Sequence, residues 1–518
     1  MTAFADLVAD PYARRRYLAI LEPYDPDLTS PDTVTLYYSD DGFTSRPGDS
    51  PANRHFEARI VEALNLSRNL VARDGRLGGR SDGDNGVLVL ANGDGGLDFM
   101  AGLAWDGRRV RIYLGGDGFA FADFGLIFDG TAEGAEFSDE AVTIRLRSLA
   151  ARADRPVQAN LYAGSGGGEG GDDLKGKPKP LAYGMCRNVP AVLVSYAVLL
   201  WQVHDGPTES IAVFSAGAAI TFGTDHASLA LLLAATVTAA TYDTCLATGH
   251  FRLGSAPGAS VITADVEGDD TGGTYAASVA RIVERIAETR AGFSGAEIDG
   301  DAFDDLHAAN GAVAGVWTGT DAATAADLFD RLCDSIGAWW GFLRDGRLTV
   351  GRLEAPADPA AASYDTLSIV DLERRPQAIP PHRHVLTWRR NWRPFLPGEV
   401  AGGASAARRE FLLAETRQET AEDAAVLTRH PLSEELRLET LLDAQAAGAA
   451  EAARLQALYG DDPCIYEARL KTPPFALRLG DVVEVTWPRW GMQAGKLLRV
   501  IGFAEVAAEN EVTLTLWG

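Results

Sequence analysis

The chain has 518 residues, enough for three or four domains that each bury a core of their own. Acidic residues outnumber basic ones by 72 to 47, giving a net charge of −25. That balance argues against nucleic-acid binding and against docking on anionic lipid, both of which need a basic footprint. With 23% charged and 46% hydrophobic residues, the composition is that of a globular protein and excludes wholesale disorder.

The first 150 residues read as β-rich. Val34, Leu36 and Tyr38 alternate along Thr33–Tyr38, Val87–Leu90 is a short apolar run, and Val142–Leu146 is a further strand. Asp106-Gly107 lies between an apolar segment and the alternating run Val110–Leu114, which predicts a two-residue hairpin turn there. Gly164–Asp173 (GSGGGEGGDD) reads as a flexible linker, followed by Lys175-Gly-Lys-Pro-Lys-Pro180. A second β-rich section starts at Ala182 and turns at His204-Asp-Gly-Pro207. The most apolar stretch, Ala227–Ala240, is too short to span a bilayer, so the chain reads as soluble.

Helical periodicity begins near Asp265. Val279, Ile282, Val283 and Ile286 share one face of a helix over Tyr275–Arg290. Leu328, Phe329, Leu332 and Ile336 do the same over Asp321–Trp340, with Thr320 or Asp321 as the N-cap. Asp345-Gly346 then predicts a second hairpin, and Leu441–Tyr459 an Ala-rich helix. The last part reads as a β-meander: Val482–Trp487, Lys496–Ala504 and Val512–Trp517. The expected fold class is α+β, predominantly β, with several barrel or sandwich modules and one small helix-containing module. The expected division is 1–160, a linker over 161–181, then 182–264, 265–375 and 376–518.

No motif supplies a reaction centre. Gly166, Gly168 and Gly171 fit G-x-G-x-x-G, but two aspartates follow them and no helix pattern does. Gly171–Lys177 begins like a P-loop, yet Pro178 stands where the magnesium-binding hydroxyl belongs. His382 and His384 would share a strand face without a third metal ligand. The acidic clusters Asp265–Asp270 and Asp299–Asp305 lack calcium-loop spacing. Cys186, Cys245, Cys333 and Cys464 have no metal or redox spacing and read as buried thiols. No catalytic, cofactor-binding or metal-ligating residue is assigned, and no cofactor is expected.

Three stretches carry a resemblance. Asp173–Gly184 with Asn188-Val189 and His204–Pro207 matches an L-x-GKPKPL-x-YG…NV…HDGP pattern. Gly337–Phe342 with Asp345–Leu353 is the second stretch, and Leu479–Arg489 through Gly495-Lys496 to Gly518 the third. Asn65–Asn69, Gly79–Ser81 and Leu97-Asp98 add a weaker N-terminal match. Together they resemble the tail-tip or baseplate hub proteins of long-tailed bacteriophages and related gene-transfer particles. The resemblance implies a structural, non-enzymatic virion protein, usually trimeric, that closes the distal end of the tail tube. It also implies adaptation of sixfold to threefold symmetry and a part in the DNA ejection passage. The implied partners are two further copies, the distal tail ring protein, the tape-measure protein and central fibre or tip proteins. The rival expectations are a receptor-binding module, for which exposed tryptophans such as Trp339, Trp340, Trp388, Trp392, Trp487 and Trp490 would stack on sugar, and a cell-wall hydrolase. Two features are expected to serve assembly. One is an apolar C-terminal edge (Val512, Leu514, Leu516) open to a neighbour; the other is an acidic passage lining, with Asp265–Asp270 and Asp299–Asp305 as candidates.

Overall fold

The computed structural model describes the whole chain except residues 1, 2, 11, 74, 75, 377, 378, 473, 508 and 510. The chain is mostly β, as the sequence predicts, with helices concentrated between residues 279 and 334 and again near 445–460. It forms two compact units, and neither is contiguous. The first gathers Met1–Ala151, Trp339–Ala378 and Asp462–Gly518, and the second gathers Arg152–Ala338 and Ile379–Asp461. The linear division of the chain therefore differs from the division into compact units. In particular, the segment 265–375 contributes its helices to one unit and its Asp-Gly hairpin to the other. The reason is that strands far apart in sequence complete each other's sheets.

The first unit is built on two large sheets. One has nine strands, with Arg15–Tyr24 and Ala104–Gly116 paired antiparallel near its middle and Gly125–Phe137 beside them. Alternation along Arg15–Tyr24 serves two cores. Ala19 and Leu21 enter the main apolar cluster, whereas Leu18 and Ile20 pack with Phe56, Phe121 and Phe124 on the other face. The second sheet has ten strands and draws Asn65–Arg73, Ala338–Phe342 and Lys496–Val506 from three separate stretches. Residues from both sheets, among them Leu90, Ile112, Ile144, Tyr466, Leu498 and Leu514, form a single buried cluster.

Two expectations change here. Asp106-Gly107 is not a hairpin turn. The strand Ala104–Gly116 runs through it, Glu22 pairs with Arg109 and Tyr24 with Ala104, and the residues between them form a bulge. Nor is Val512–Trp517 an open edge. It lies between Cys464–Leu470 and Lys496–Val506, with Val512, Leu514 and Leu516 buried in the core.

The second unit has two five-stranded sheets and one three-stranded sheet. Leu181–Pro190 sits between Ile262–Asp269 and Gly315–Thr318. Helix Val279–Thr289 buries Val279, Ile282, Val283 and Ile286, the face its periodicity predicts. The next predicted helix is shorter than expected, Ala325–Asp334. Its cap is Thr324, whose hydroxyl accepts from the Asp327 N–H at 3.1 Å while the Asp327 carboxylate returns to Thr324. Trp339 and Trp340 stand beyond it on a strand. Helix Gln445–Gly460 packs on the three-stranded sheet. Gly164–Asp173 is not an extended linker: Gly166 N–H donates to Gly170 O at 2.7 Å, Gly164 N–H to Glu169 O at 2.9 Å, and Leu174 is buried with Tyr162 and Leu200. Among the described residues no helix is long and apolar enough to cross a bilayer.

Candidate functional site

Residues of the first stretch gather around one strand of the second unit. Leu181, Ala182 and Tyr183 are buried on Leu181–Pro190. Gly184 has φ +65°, and a Cβ there would lie 2.0 Å from the Ala314 carbonyl oxygen of the adjacent strand, so both backbone shape and space demand glycine. From the HDGP turn, His204 enters the interior with no exposure. Its Nδ1 accepts the Ala182 N–H at 2.9 Å, which leaves the proton on Nε2, 3.4 Å from Asp269 Oδ2. Burial pushes the imidazole below its ordinary value, against the pull of Asp269. Burial also raises the Asp269 carboxyl, but the close His204 imidazole and hydrogen bonds from the Thr271 N–H and Arg285 outweigh it and hold the group down at about 2. The pair is a neutral imidazole against an anion, the anion being neutralised by Arg285. Both imidazole nitrogens face protein, so no lone pair is left to take a proton from a substrate.

The other signature positions are equally committed to architecture. Tyr183 Oη accepts from Arg290 Nε at 3.1 Å, and Arg290 Nη2 donates to the Asp205 carbonyl at 2.8 Å, which ties the HDGP turn to the helix end. Asn188, fully buried at φ +55°, donates its N–H to Asp265 Oδ1 at 2.8 Å. Its Nδ2 donates to Asn391 Oδ1 at 2.8 Å and to the Arg393 carbonyl at 2.6 Å. Asp265 is gripped by Arg408 through two contacts of 2.8 and 3.0 Å, and Arg187 holds Asp443 at 3.0 and 2.8 Å. Of the three lysines in the Lys-Pro run, Lys179 is built in. It bonds Glu169 at 2.8 Å and lies over the Tyr162 ring, while Lys175 and Lys177 are exposed.

Asn391, Arg408 and Asp443 complete this junction from positions more than 120 residues away in sequence. No local pattern marks them. Only the left-handed backbone that Asn188 tolerates hints from sequence that its side chain is spent locally.

In the first unit, the second stretch places Trp340 under Arg80, 5.0 Å from the ring centroid, and closes the Asp345-Gly346 hairpin with Leu343 N–H donating to the Arg347 carbonyl at 2.9 Å. Arg344 binds the nearly fully buried Glu505 at 2.8 and 2.7 Å and lies over Phe475 and Phe503.

The remaining candidates scatter. His384 is buried, stacked on Tyr459, with Nδ1 2.9 Å from Gln456 Oε1, while His382 contacts the Ser433 carbonyl. The four cysteines are buried and unbridged; burial pushes the Cys186 and Cys333 thiols up. Among the described residues no group of three or more His, Cys, Asp or Glu is placed to hold a metal. Asp269 is buried and paired with Arg285, and the half-buried Asp265 is paired with Arg408. Trp339, Trp340 and Trp388 are buried, Trp392 and Trp487 half-buried, and Trp490 exposed.

No protein-family model and no curated protein matches the sequence. Solved structures do resemble the chain. A 43 kDa tail protein of prophage MuSo2 from Shewanella oneidensis matches at 9% identity and TM-score 0.37, over 89% of this chain and 93% of that one. A tail protein from Neisseria meningitidis MC58 matches at 8% identity and TM-score 0.40, over 97% and 96%. A chain of a native gene transfer agent virion matches at 14% identity and TM-score 0.43, over 66% and 84%.

Proposed function

We propose that this chain is a structural protein of a phage-like tail tip, a baseplate hub that closes the distal end of the tail tube. In this reading three copies adapt sixfold tail rings to threefold symmetry and form part of the DNA ejection passage. They meet the distal tail ring protein, the tape-measure protein and central fibre or tip proteins. The observation that carries the reading is the fate of the signature residues. Tyr183, Gly184, Asn188 and His204 are buried and spent on joining strands, which supports a scaffold role for the stretches that carry the resemblance. A catalytic role would leave at least one of these polar groups facing a cleft with a free proton-accepting atom.

The test is the place of the chain in assembled particles. A tag on this protein should label the distal end of the tail at three copies per particle, and particles made without it should lack a closed tip. Label elsewhere, one or two copies per tip, or digestion of cell wall by the purified chain would overturn the reading.

A further inference from the structure

One five-stranded sheet of the second unit runs in the order Val192–Ser195, Leu200–Gln202, His250–Leu253, Thr241–Cys245, Thr221–Asp225, and its two terminal strands each pair on one side only. Thr221–Asp225 is the one described strand with every residue exposed. Its Phe222 leans edge-on against Tyr242 at 5.6 Å yet stays 52% exposed. At the other end, Val192 and Val194 turn into the apolar cluster of Tyr162 and Leu174, while Leu193 and Tyr196 stay 40% and 59% exposed.

Charge is missing from both ends. Residues 188–203 contain no Asp, Glu, Lys or Arg, and residues 211–241 contain Asp225 alone. That carboxylate is taken up within the sheet, by Thr244 Oγ1 at 2.7 Å and the Leu246 N–H at 2.9 Å. Terminal strands elsewhere are guarded. Ile369–Pro376 carries Asp371, Glu373, Arg374 and Arg375, and Arg417–Glu422 carries Arg417, Glu419 and Glu422. Such charges keep free edge N–H and C=O groups from recruiting a foreign strand, and this sheet lacks them at both ends.

Strand direction adds an independent observation. Three successive antiparallel pairings followed by one parallel pairing leave Val192–Ser195 and Thr221–Asp225 pointing in opposite directions. A second such sheet set beside the first in the same orientation therefore brings Thr221–Asp225 of one copy antiparallel to Val192–Ser195 of the next. Because the two ends are different surfaces of one chain, the contact is head-to-tail, the kind that closes a ring when its rotation permits. On a chain of net charge −25, these neutral edges also let a further copy approach without setting carboxylate against carboxylate.

We propose that Thr221–Asp225 of one copy pairs with Val192–Ser195 of the next, so that the sheet continues from copy to copy. This rests on the reading of the chain as a multi-copy hub.

The experiment uses the full-length chain, in solution and in assembled particles. Leu193→Lys and Phe222→Lys alter exposed side chains, so each variant should keep the wild-type circular dichroism and lose the assembled mass read by light scattering. High salt should leave the wild-type mass unchanged, because no ion pair holds the contact. A short bismaleimide should join a Leu193→Cys copy to a Phe222→Cys copy and neither variant to itself, the four native cysteines being buried. Assembly that survives either lysine substitution, or that salt dissolves, overturns the proposal and leaves the hub reading standing. So does a cross-link between two Phe222→Cys copies, or particles that yield no mixed cross-link. A wild-type chain that is monomeric in solution and absent from the tail tip overturns both.

Discussion

The two units, one almost all β and the other carrying most of the helices, are held together differently. The first unit has a large apolar cluster that takes side chains from a nine-stranded and a ten-stranded sheet, with a smaller one around Phe56 and Phe121. The second has clusters around Trp201, Tyr162 and Phe395 and also joins its elements through polar groups: His204 with Asp269, Asn188 with Asn391, and Arg408 with Asp265. Histidine follows the same division. His55, exposed, is the one histidine of the first unit, whereas the second holds the other seven, with His204, His250 and His384 buried. A large continuous core tolerates loose polar chemistry around it. A buried polar group that loses its partner costs about 1–3 kcal/mol, so each of these seams matters to the second unit.

The sharpest challenge to this contrast is the one deeply buried ion pair of the first unit described above. Glu505→Ala leaves Arg344 without its carboxylate among Phe475 and Phe503, and should cost about 3–5 kcal/mol. Urea midpoints combined with hydrogen exchange over 496–517 would measure it. Replacing both partners by apolar residues of similar size should cost much less. If the double replacement is as harmful as the single one, the first unit also depends on polar seams and the contrast fails.

Acid should separate the units next. Burial holds His250 down at about 4, and His204 is lowered for the same reason. Between about pH 6.5 and 4 the unfolded chain binds protons that the folded second unit refuses, so stability falls as pH falls. The His250 shift alone is worth on the order of 3 kcal/mol at the lower end. In the first unit, burial raises Asp40 and Asp481, so their protonation favours the folded state. Exchange protection, corrected for intrinsic rates, should therefore weaken first in residues 152–338 and 379–461. Parallel loss in both units would remove the histidine argument.

Smaller effects probe the seams one by one. Asn188→Ala removes two donated side-chain hydrogen bonds from a fully buried position and should cost about 2 kcal/mol. Asn188→Gly separates that loss from the cost of the left-handed backbone, and equal values for the two would show that the backbone contributes nothing. Thr324→Ala should remove about 1 kcal/mol by uncapping helix Ala325–Asp334, measurable as faster exchange in its first turn.

The two Asp-Gly pairs show how far local sequence reaches. Both glycines take a positive φ, +72° at Gly107 and +78° at Gly346, as turn chemistry requires. Gly346 closes a hairpin because the strands on either side of it pair with each other. Gly107 makes a bulge because Arg15–Tyr24, some ninety residues earlier, pairs with the chain on both sides of it. The residue chemistry was legible; the strand partner was not. Amphipathic helices were read well, since their faces are local, although the true cap, Thr324, lies four residues past Thr320. The polar junction is the extreme case. Asn188 belongs to a visible pattern, but its partners Asn391 and Arg393 come from chain that only folding brings near.

The interleaving of the units has a consequence for synthesis on the ribosome. The nine-stranded sheet uses no residue beyond 147, although the apolar face it shares with the ten-stranded sheet waits for residues near the end of the chain. Strand Asn65–Arg73, by contrast, pairs on one side with Lys496–Val506, which is among the last segments to be made. For the time needed to translate more than 400 residues, that strand presents an unfilled edge to the cytosol. Nascent chains on one messenger are thus exposed to pairing with one another before each can close its own ten-stranded sheet. Slow late translation, or a shortage of factors that shield such edges, should cost yield at this step long before it affects the stability of the finished protein.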